Sequence, residues 1–313
     1  MNDPIIEMRD VRKRFGAKDA VSGLTFQAPR GQVTAFLGPN GAGKTTTIQM
    51  ALNLLRRDGG EARVLEVDAK DLKPDHFQRI GYVSENQELP LWMNVDRYFD
   101  FLRPMYPKWD RSLEKTLRAR FDLPGETRLK DLSRGMRMKA QLLSSLAFRP
   151  ELVALDEPFS GLDPLARDEF LDGLLEMTGE NGWSVFVSSH DIDEVQRLTD
   201  HVVIIDQGRA ALEESVDSLQ RRFRRVECVF SAESTANGFQ PDSHWLEYSE
   251  AGRVHRWVDP TWQEGATRES VSAFGDASVD LRSEPMNLRE IFVALAKTYR
   301  LTATQRQPMT ANA

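Results

Sequence analysis

GPNGAGKTT, residues 38–46, is the stretch that decides how this chain is read. It fits the pattern G-x-x-x-x-G-K-[ST] and lies between the apolar run VTAFL (33–37) and the helical periodicity of TIQMALNLL (47–55). Gly38, Gly41 and Gly43 let the backbone curl so that successive N–H groups point at phosphate oxygens. A helix starting near Gly43 adds the positive end of its dipole. Lys44 reaches the terminal phosphates and the Thr45 hydroxyl is placed for Mg²⁺, so the implied ligand is a nucleotide.

Such a loop needs carboxylates, and VALDEPFSGLD (153–163) supplies them where an apolar strand ends in Asp156 and Glu157. Side chains alternate faces along a strand, so the two are expected to do different jobs. Asp156 would hold Mg²⁺, and Glu157 would orient and polarise an attacking water. A third stretch, LSRGMRMKAQ (132–141), opens a helix with a hydroxyl, a glycine and three cations. Glycine in a first turn weakens a helix by about 1 kcal/mol, so the stretch reads either as a plain solvated helix start or as a set of groups that hold an anion.

Through residue 214, apolar runs alternate with amphipathic segments, which predicts an α/β domain with a mainly parallel sheet. From 215 to 300 the pattern changes to short alternating strands (RVECVFS, WLEYSE, RVHRWV, SVDLRSE) and a closing helix. There Asn287 and Glu290 form a capping box, and Leu288, Ile291, Phe292, Leu295 and Tyr299 share a face. This reads as a small α+β domain, with 301–313 as a flexible tail. A net charge of -7 argues against wholesale wrapping of nucleic acid while leaving room for a local basic patch, and no direct nucleic-acid partner is expected. The single cysteine, Cys228, excludes a disulfide framework and fits a reducing compartment. The N-terminus lacks a signal-peptide pattern and runs such as VVII are too short to cross a bilayer. The expectation is a chain soluble by itself that reaches a membrane by holding a partner.

The order GPNGAGKTT, LSRGM, VALDEP, SGLD, SSHD resembles the nucleotide-binding subunits of ABC transporters, over roughly residues 5 to 212. The resemblance implies a P-loop NTPase fold: a RecA-like core, an antiparallel β subdomain and a helical subdomain. It also implies ATP and Mg²⁺ as cofactors. Phe15 matches the aromatic that stacks on adenine, and Gly38, Pro39, Asn40, Gly41, Ala42, Gly43, Lys44, Thr45 and Thr46 match the phosphate loop. Ser133 and Gly135 match the signature that meets nucleotide held by the other subunit, and Asp163 the loop that talks across that interface. Asp156 and Glu157 match the metal-binding and catalytic carboxylates, His190 the switch histidine at the γ-phosphate, and Lys44 the phosphate-binding lysine. Glu85 stands where the family has a glutamine that joins Mg²⁺ and the attacking water. Arg134 and Met136 also depart from the usual Gly and Gln.

Two surfaces look outward. ELPLWMNVDRYFDFLRPMYPKW (88–109) is rich in aromatic and Met side chains, which serve either a membrane partner or the helical core. The basic run QRRFRRVE (220–227) reads as a solvated link between domains or a contact for anionic lipid or an acidic partner. His244, His255, Trp245, Trp257 and Trp262 are assigned to the core of the second domain.

The resemblance, in its bacterial export-type flavour, implies an ATPase subunit on the cytoplasmic face of the membrane. It would dimerise with itself or a related chain and drive a separate permease. The alternative is a soluble ATPase of the same family acting on ribosomes or nucleic acid. Because a carboxylate can still coordinate Mg²⁺, Glu85→Gln is expected to leave ATP turnover within about tenfold, about 1.4 kcal/mol of barrier. A collapse by several orders in a steady-state assay would refute this.

Overall fold

Two sheets build the first unit of the chain, Met1–Glu214, and a third builds the second, Ser215–Ala313. The computed structural model describes residues 3–85, 87–231, 239–272 and 280–305. Side chains at 176–181, 272, 296 and 298–305 also fall outside the description.

The strands of the first unit are β1 (Ile6–Phe15), β2 (Lys18–Ala28), β3 (Val33–Leu37), β4 (Gly59–Val64), β5 (Val67–Asp68), β6 (Ile80–Ser84), β7 (Leu152–Asp156), β8 (Ser184–Ser189), β9 (His201–Asp206) and β10 (Arg209–Ser215). Its helices include α1 (Lys44–Ala51), α2 (Pro74–Phe77), α3 (Val95–Leu102), α4 (Arg111–Arg120), α5 (Arg134–Leu146) and α6 (Pro164–Asn181). One sheet, ordered β2-β1-β4-β5, is antiparallel throughout. The other is ordered β10-β9-β3-β8-β7-β6, and its pairs from β9 to β6 are parallel. Every residue of β3, β7 and β8 is buried, as the unbroken apolar runs predict for strands covered on both faces.

The two sheets meet at an aromatic cluster. Phe26 of β2, Phe36 of β3 and Phe186 of β8 lie with ring centroids 5.2–5.7 Å apart. All three are at most 1% exposed, and they belong to one core spanning both sheets. The parallel register ends its strands together: Leu37 pairs with Ser189, Asp156 with Ser188 and Ser84 with Asp156. The residues that follow these strands therefore line one edge of the sheet, the crevice where open α/β sheets bind ligands.

Helix starts are fixed by side-chain caps. Asn94, Asp110, Ser133 and Asp163 each accept a backbone N–H from the first turn of α3, α4, α5 and α6. The aromatic segment 88–109 is core only in part. Met93, Tyr98 and Phe99 are buried and Tyr106 stacks on Phe148 at 4.1 Å, whereas Leu91, Trp92, Phe101 and Met105 are exposed.

In the second unit, α7 (Val216–Arg222) precedes β11 (Arg224–Val229), β12 (Leu246–Ala251), β13 (Val254–Asp259) and β14 (Asp280–Pro285). The sheet order is β12-β13-β11-β14, antiparallel. Trp257, Val226, Cys228, Phe230, Phe239 and Val271 form its core, with Trp245 and Trp262 packed against it. His255 is buried beside Tyr248 at 2.6 Å. Three sequence expectations need correction here. The run QRRFRRVE is not a link: it spans the end of α7 and the start of β11, with Phe223 buried between them. His244 is not core, because its side chain is 44% exposed and pairs with Asp242 at 2.5 Å. The closing helix runs Leu288–Gln305, five residues into the segment expected to be tail, and 306–313 lie outside the described residues. Its capping box is formed, with Asn287 and Glu290 exchanging two bonds of 2.9 Å. Leu288 and Ile291 are buried, Phe292 and Leu295 half-buried, and the Tyr299 side chain is outside the description.

Because Phe186 sits at the centre of the inter-sheet cluster, Phe186→Ala is expected to destabilise the first unit by about 3–5 kcal/mol. Denaturant unfolding followed by calorimetry or circular dichroism would measure it. A loss under about 1 kcal/mol would mean the sheets do not depend on this contact.

Candidate nucleotide site

The phosphate loop follows β3 without a break. Gly41 (φ +82°) and Gly43 (φ +106°) take left-handed backbone, and Gly43 caps α1. A side chain on Gly38 would collide with the Ile205 carbonyl at the end of β9. The loop is tied down by the Ala42 N–H bonding the Pro39 carbonyl (3.1 Å) and the Gly208 N–H bonding the Ala42 carbonyl (3.1 Å). Gly208 belongs to a two-residue turn with φ > 0 at both Gln207 and Gly208, the geometry that closes tight hairpins. The phosphate loop is thus braced by the β9–β10 hairpin.

Lys44 is 5% exposed, and its ammonium donates to the Gly38 carbonyl (2.7 Å) and the Pro39 carbonyl (3.2 Å). It also pairs with Glu157 Oε1 at 3.0 Å. The other Glu157 oxygen, Oε2, meets His190 Nδ1 at 2.8 Å. One carboxylate therefore sits between a lysine and an imidazole. The Thr45 hydroxyl donates to Asp156 Oδ1 (3.1 Å), and so does the Ser188 hydroxyl (2.8 Å). Ser188 in turn accepts the Glu157 N–H at 3.0 Å.

The reason Asp156 and Glu157 point differently is not the one expected. Strand β7 ends at Asp156, and Glu157 lies beyond it in left-handed backbone (φ +50°). The change of direction comes from that turn and from Ser188 holding the Glu157 N–H, not from alternation along a strand. Ser188 was missed by sequence reasoning; the only signal was its place in SSHD, two residues before His190.

Phe15, half exposed, lines the same cleft with Lys18, Asn40, Gly41 and Thr46. Ser133, Gly135 and Asp163 do not line it. They form a second cluster, in which Ser133 Oγ accepts the Met136 N–H (3.2 Å) and Asp163 Oδ1 accepts the Ala166 N–H (2.9 Å). A side chain on Gly135 would crowd Ala166 at 3.1 Å, so the starts of α5 and α6 pack closely. Glu85 follows β6, its N–H donating to the Asp156 carbonyl (3.2 Å), and its carboxylate pairs with Arg134 at the start of α5. Two of the three departures from the family pattern, Glu85 and Arg134, thus touch each other.

Burial pushes the Asp156 carboxyl above the usual carboxylate range, against the lowering effect of its bonds from Ser188 and Thr45 and of nearby Lys44. Its folded pKa exceeds its unfolded one, so ionised Asp156 costs stability above the folded pKa, and that cost declines as pH falls from the folded value toward the unfolded one and is gone below both. Asp156→Asn keeps an oxygen for both hydroxyls and removes the charge. It is expected to raise the melting temperature of nucleotide-free protein at neutral pH, by on the order of 1 kcal/mol or about 2–4 °C. A lower melting temperature would show that the charge is stabilising in place.

A family model described as ABC transporter matches residues 21–160. The chain is 34% identical over 229 residues to the daunorubicin resistance ATP-binding protein DrrA3 of Streptomyces coeruleorubidus, covering 70% of this chain and 71% of that protein. It is 32% identical over 314 residues to the daunorubicin/doxorubicin resistance ATP-binding protein DrrA of Streptomyces peucetius, covering 93% and 92%. Among solved structures, the ATP binding subunit of an ABC transporter superposes with a TM-score of 0.62 at 25% identity, covering 69% of this chain and 92% of that one. With a braced phosphate loop, paired carboxylates and these relatives, the chain belongs to the ATP-binding proteins of ABC transporters and is a transport ATPase.

Proposed function

We propose that the chain clamps ATP between two cassettes, either two copies of itself or one copy and a related chain, and drives a separate membrane permease in export. The observation that carries this reading is the placement of Glu157 between Lys44 and His190, one residue beyond the buried Asp156. Phe15 would stack on the adenine, and the loop from Gly38 to Thr46 would cradle the phosphates. When Lys44 exchanges Glu157 for a γ-phosphate oxygen, the carboxylate is released to orient the attacking water, with His190 holding the γ-phosphate.

Mg²⁺ fits the residues present. Asp156 is a desolvated carboxylate bonded to the Thr45 hydroxyl, and Glu85 leaves the neighbouring strand end. Hard oxygens in small number, completed by phosphates, are what this ion takes. Bound there, it would offset phosphate charge.

Ser133 uses an oxygen lone pair for its cap, which leaves its proton to donate to nucleotide on the other subunit. Gly135 would permit close approach and Asp163 would mark the same interface. ATP would favour the closed pair because its γ-phosphate touches both halves, and hydrolysis would remove that bridge. The exposed Leu91, Trp92, Phe101 and Met105 offer apolar area to a permease. Among the described residues no helix is long and apolar enough to cross a membrane, which suits a subunit peripheral on the cytoplasmic face. Drug-resistance and transport relatives support export, and they leave action on ribosomes or nucleic acid without support.

Glu157→Gln should keep ATP binding, lower turnover by at least about 10²-fold and trap an ATP-bound dimer in size-exclusion chromatography. A monomer with unchanged turnover would overturn both the base assignment and the clamp.

A further inference from the structure

Arg134 and Glu85 are 49 residues apart in sequence, and each replaces a neutral residue that the family pattern leads one to expect. In the fold their side chains form an ion pair. Arg134 is 47% and Glu85 32% exposed at the side chain, and pairs so open to water add little to stability. The pair is nonetheless held in one place. The Glu85 N–H is bonded to the carbonyl of Asp156, so its carboxylate starts from the strand end next to the proposed metal site. The guanidinium lies over Gly161, whose left-handed backbone (φ +67°) and missing side chain leave room for it; any Cβ there would collide with it. Arg134 thereby spans three segments: the start of α5, the turn after β6 and the loop before α6. The same groove carries Glu88 and Arg137, so with Arg134 and Glu85 its charges balance two against two.

The geometry points to Arg134 as a positioning residue for Glu85. It offsets the negative charge that Glu85 brings toward the γ-phosphate and fixes where that carboxylate sits, which makes the two departures one paired exchange. Without Arg134, Glu85 would repel the triphosphate; without either charge, the site would return to the neutral arrangement usual in the family. This inference rests on the ATPase reading above and specifies how one of its metal-side residues is controlled.

The test is a double-mutant cycle of Arg134→Gln, Glu85→Gln and the pair, with Arg134→Lys as the conservative variant. Two quantities are read: kcat and KM for ATP, and the affinity for ATP with Mg²⁺ measured by calorimetry in a Glu157→Gln background. Arg134→Gln alone is expected to lose about tenfold or more in kcat and about tenfold in affinity. The double variant should recover to the level of Glu85→Gln, and Arg134→Lys should stay within about threefold of the parent. If the single losses multiply in the double variant, or Arg134→Gln changes neither quantity, the inference is overturned. A parent chain that does not turn over ATP would instead overturn the ATPase reading.

Discussion

The rest of the site depends on one hydroxyl. Ser188 is the last residue but one of the strand that runs between the phosphate-loop strand and the carboxylate strand, and its hydroxyl donates to Asp156 while accepting the Glu157 N–H. That oxygen fixes the direction of a buried carboxylate and of the backbone turn that aims the next one. Without it a buried carboxylate and a part-buried N–H would each lose a partner, a cost of about 1–3 kcal/mol for the buried one.

Charge is handled economically around this junction. Lys44 and Glu157 are both largely buried, and an ion in that position is tolerated only when it is paired and hydrogen-bonded. Lys44 meets two carbonyls and a carboxylate, and Glu157 meets an ammonium and an imidazole. Removing either partner would leave an uncompensated charge, which typically costs about 3–5 kcal/mol. Such a cluster adds little to folding as a whole, so its presence is better explained by a ligand that redistributes the same charges. The second cluster, at the starts of α5 and α6, has the opposite character. Its groups are caps that satisfy helix N–H groups and remain near the surface, where a second molecule can reach them.

Much of this could be read directly from the residues. The glycine-rich loop was legible because its glycines and lysine fall within nine consecutive positions, and the cap at Asn287 because capping is equally local, whereas the capping roles of Ser133 and Asp163 came only with the structure. The four strands of the second unit were legible from alternation. The Arg run at 220–225 was not, because charge density hides Phe223, the buried residue that joins helix to strand. His244 was misplaced for a related reason: its neighbour Trp245 does pack on the core, while Asp242 draws the imidazole outward.

By itself the sequence determined the α/β class, the glycine-rich loop that follows one apolar strand and the pair of carboxylates at the end of another, since each follows from short-range periodicity or spacing. Only the tertiary structure decided that Glu157 turns out of its strand, that Ser188 joins the two carboxylate positions, and that Arg134 answers Glu85. Those relations depend on the register of parallel strands and on helix starts brought together from 30 to 50 residues away. No local pattern encodes them, because they follow from which strand ends stand side by side.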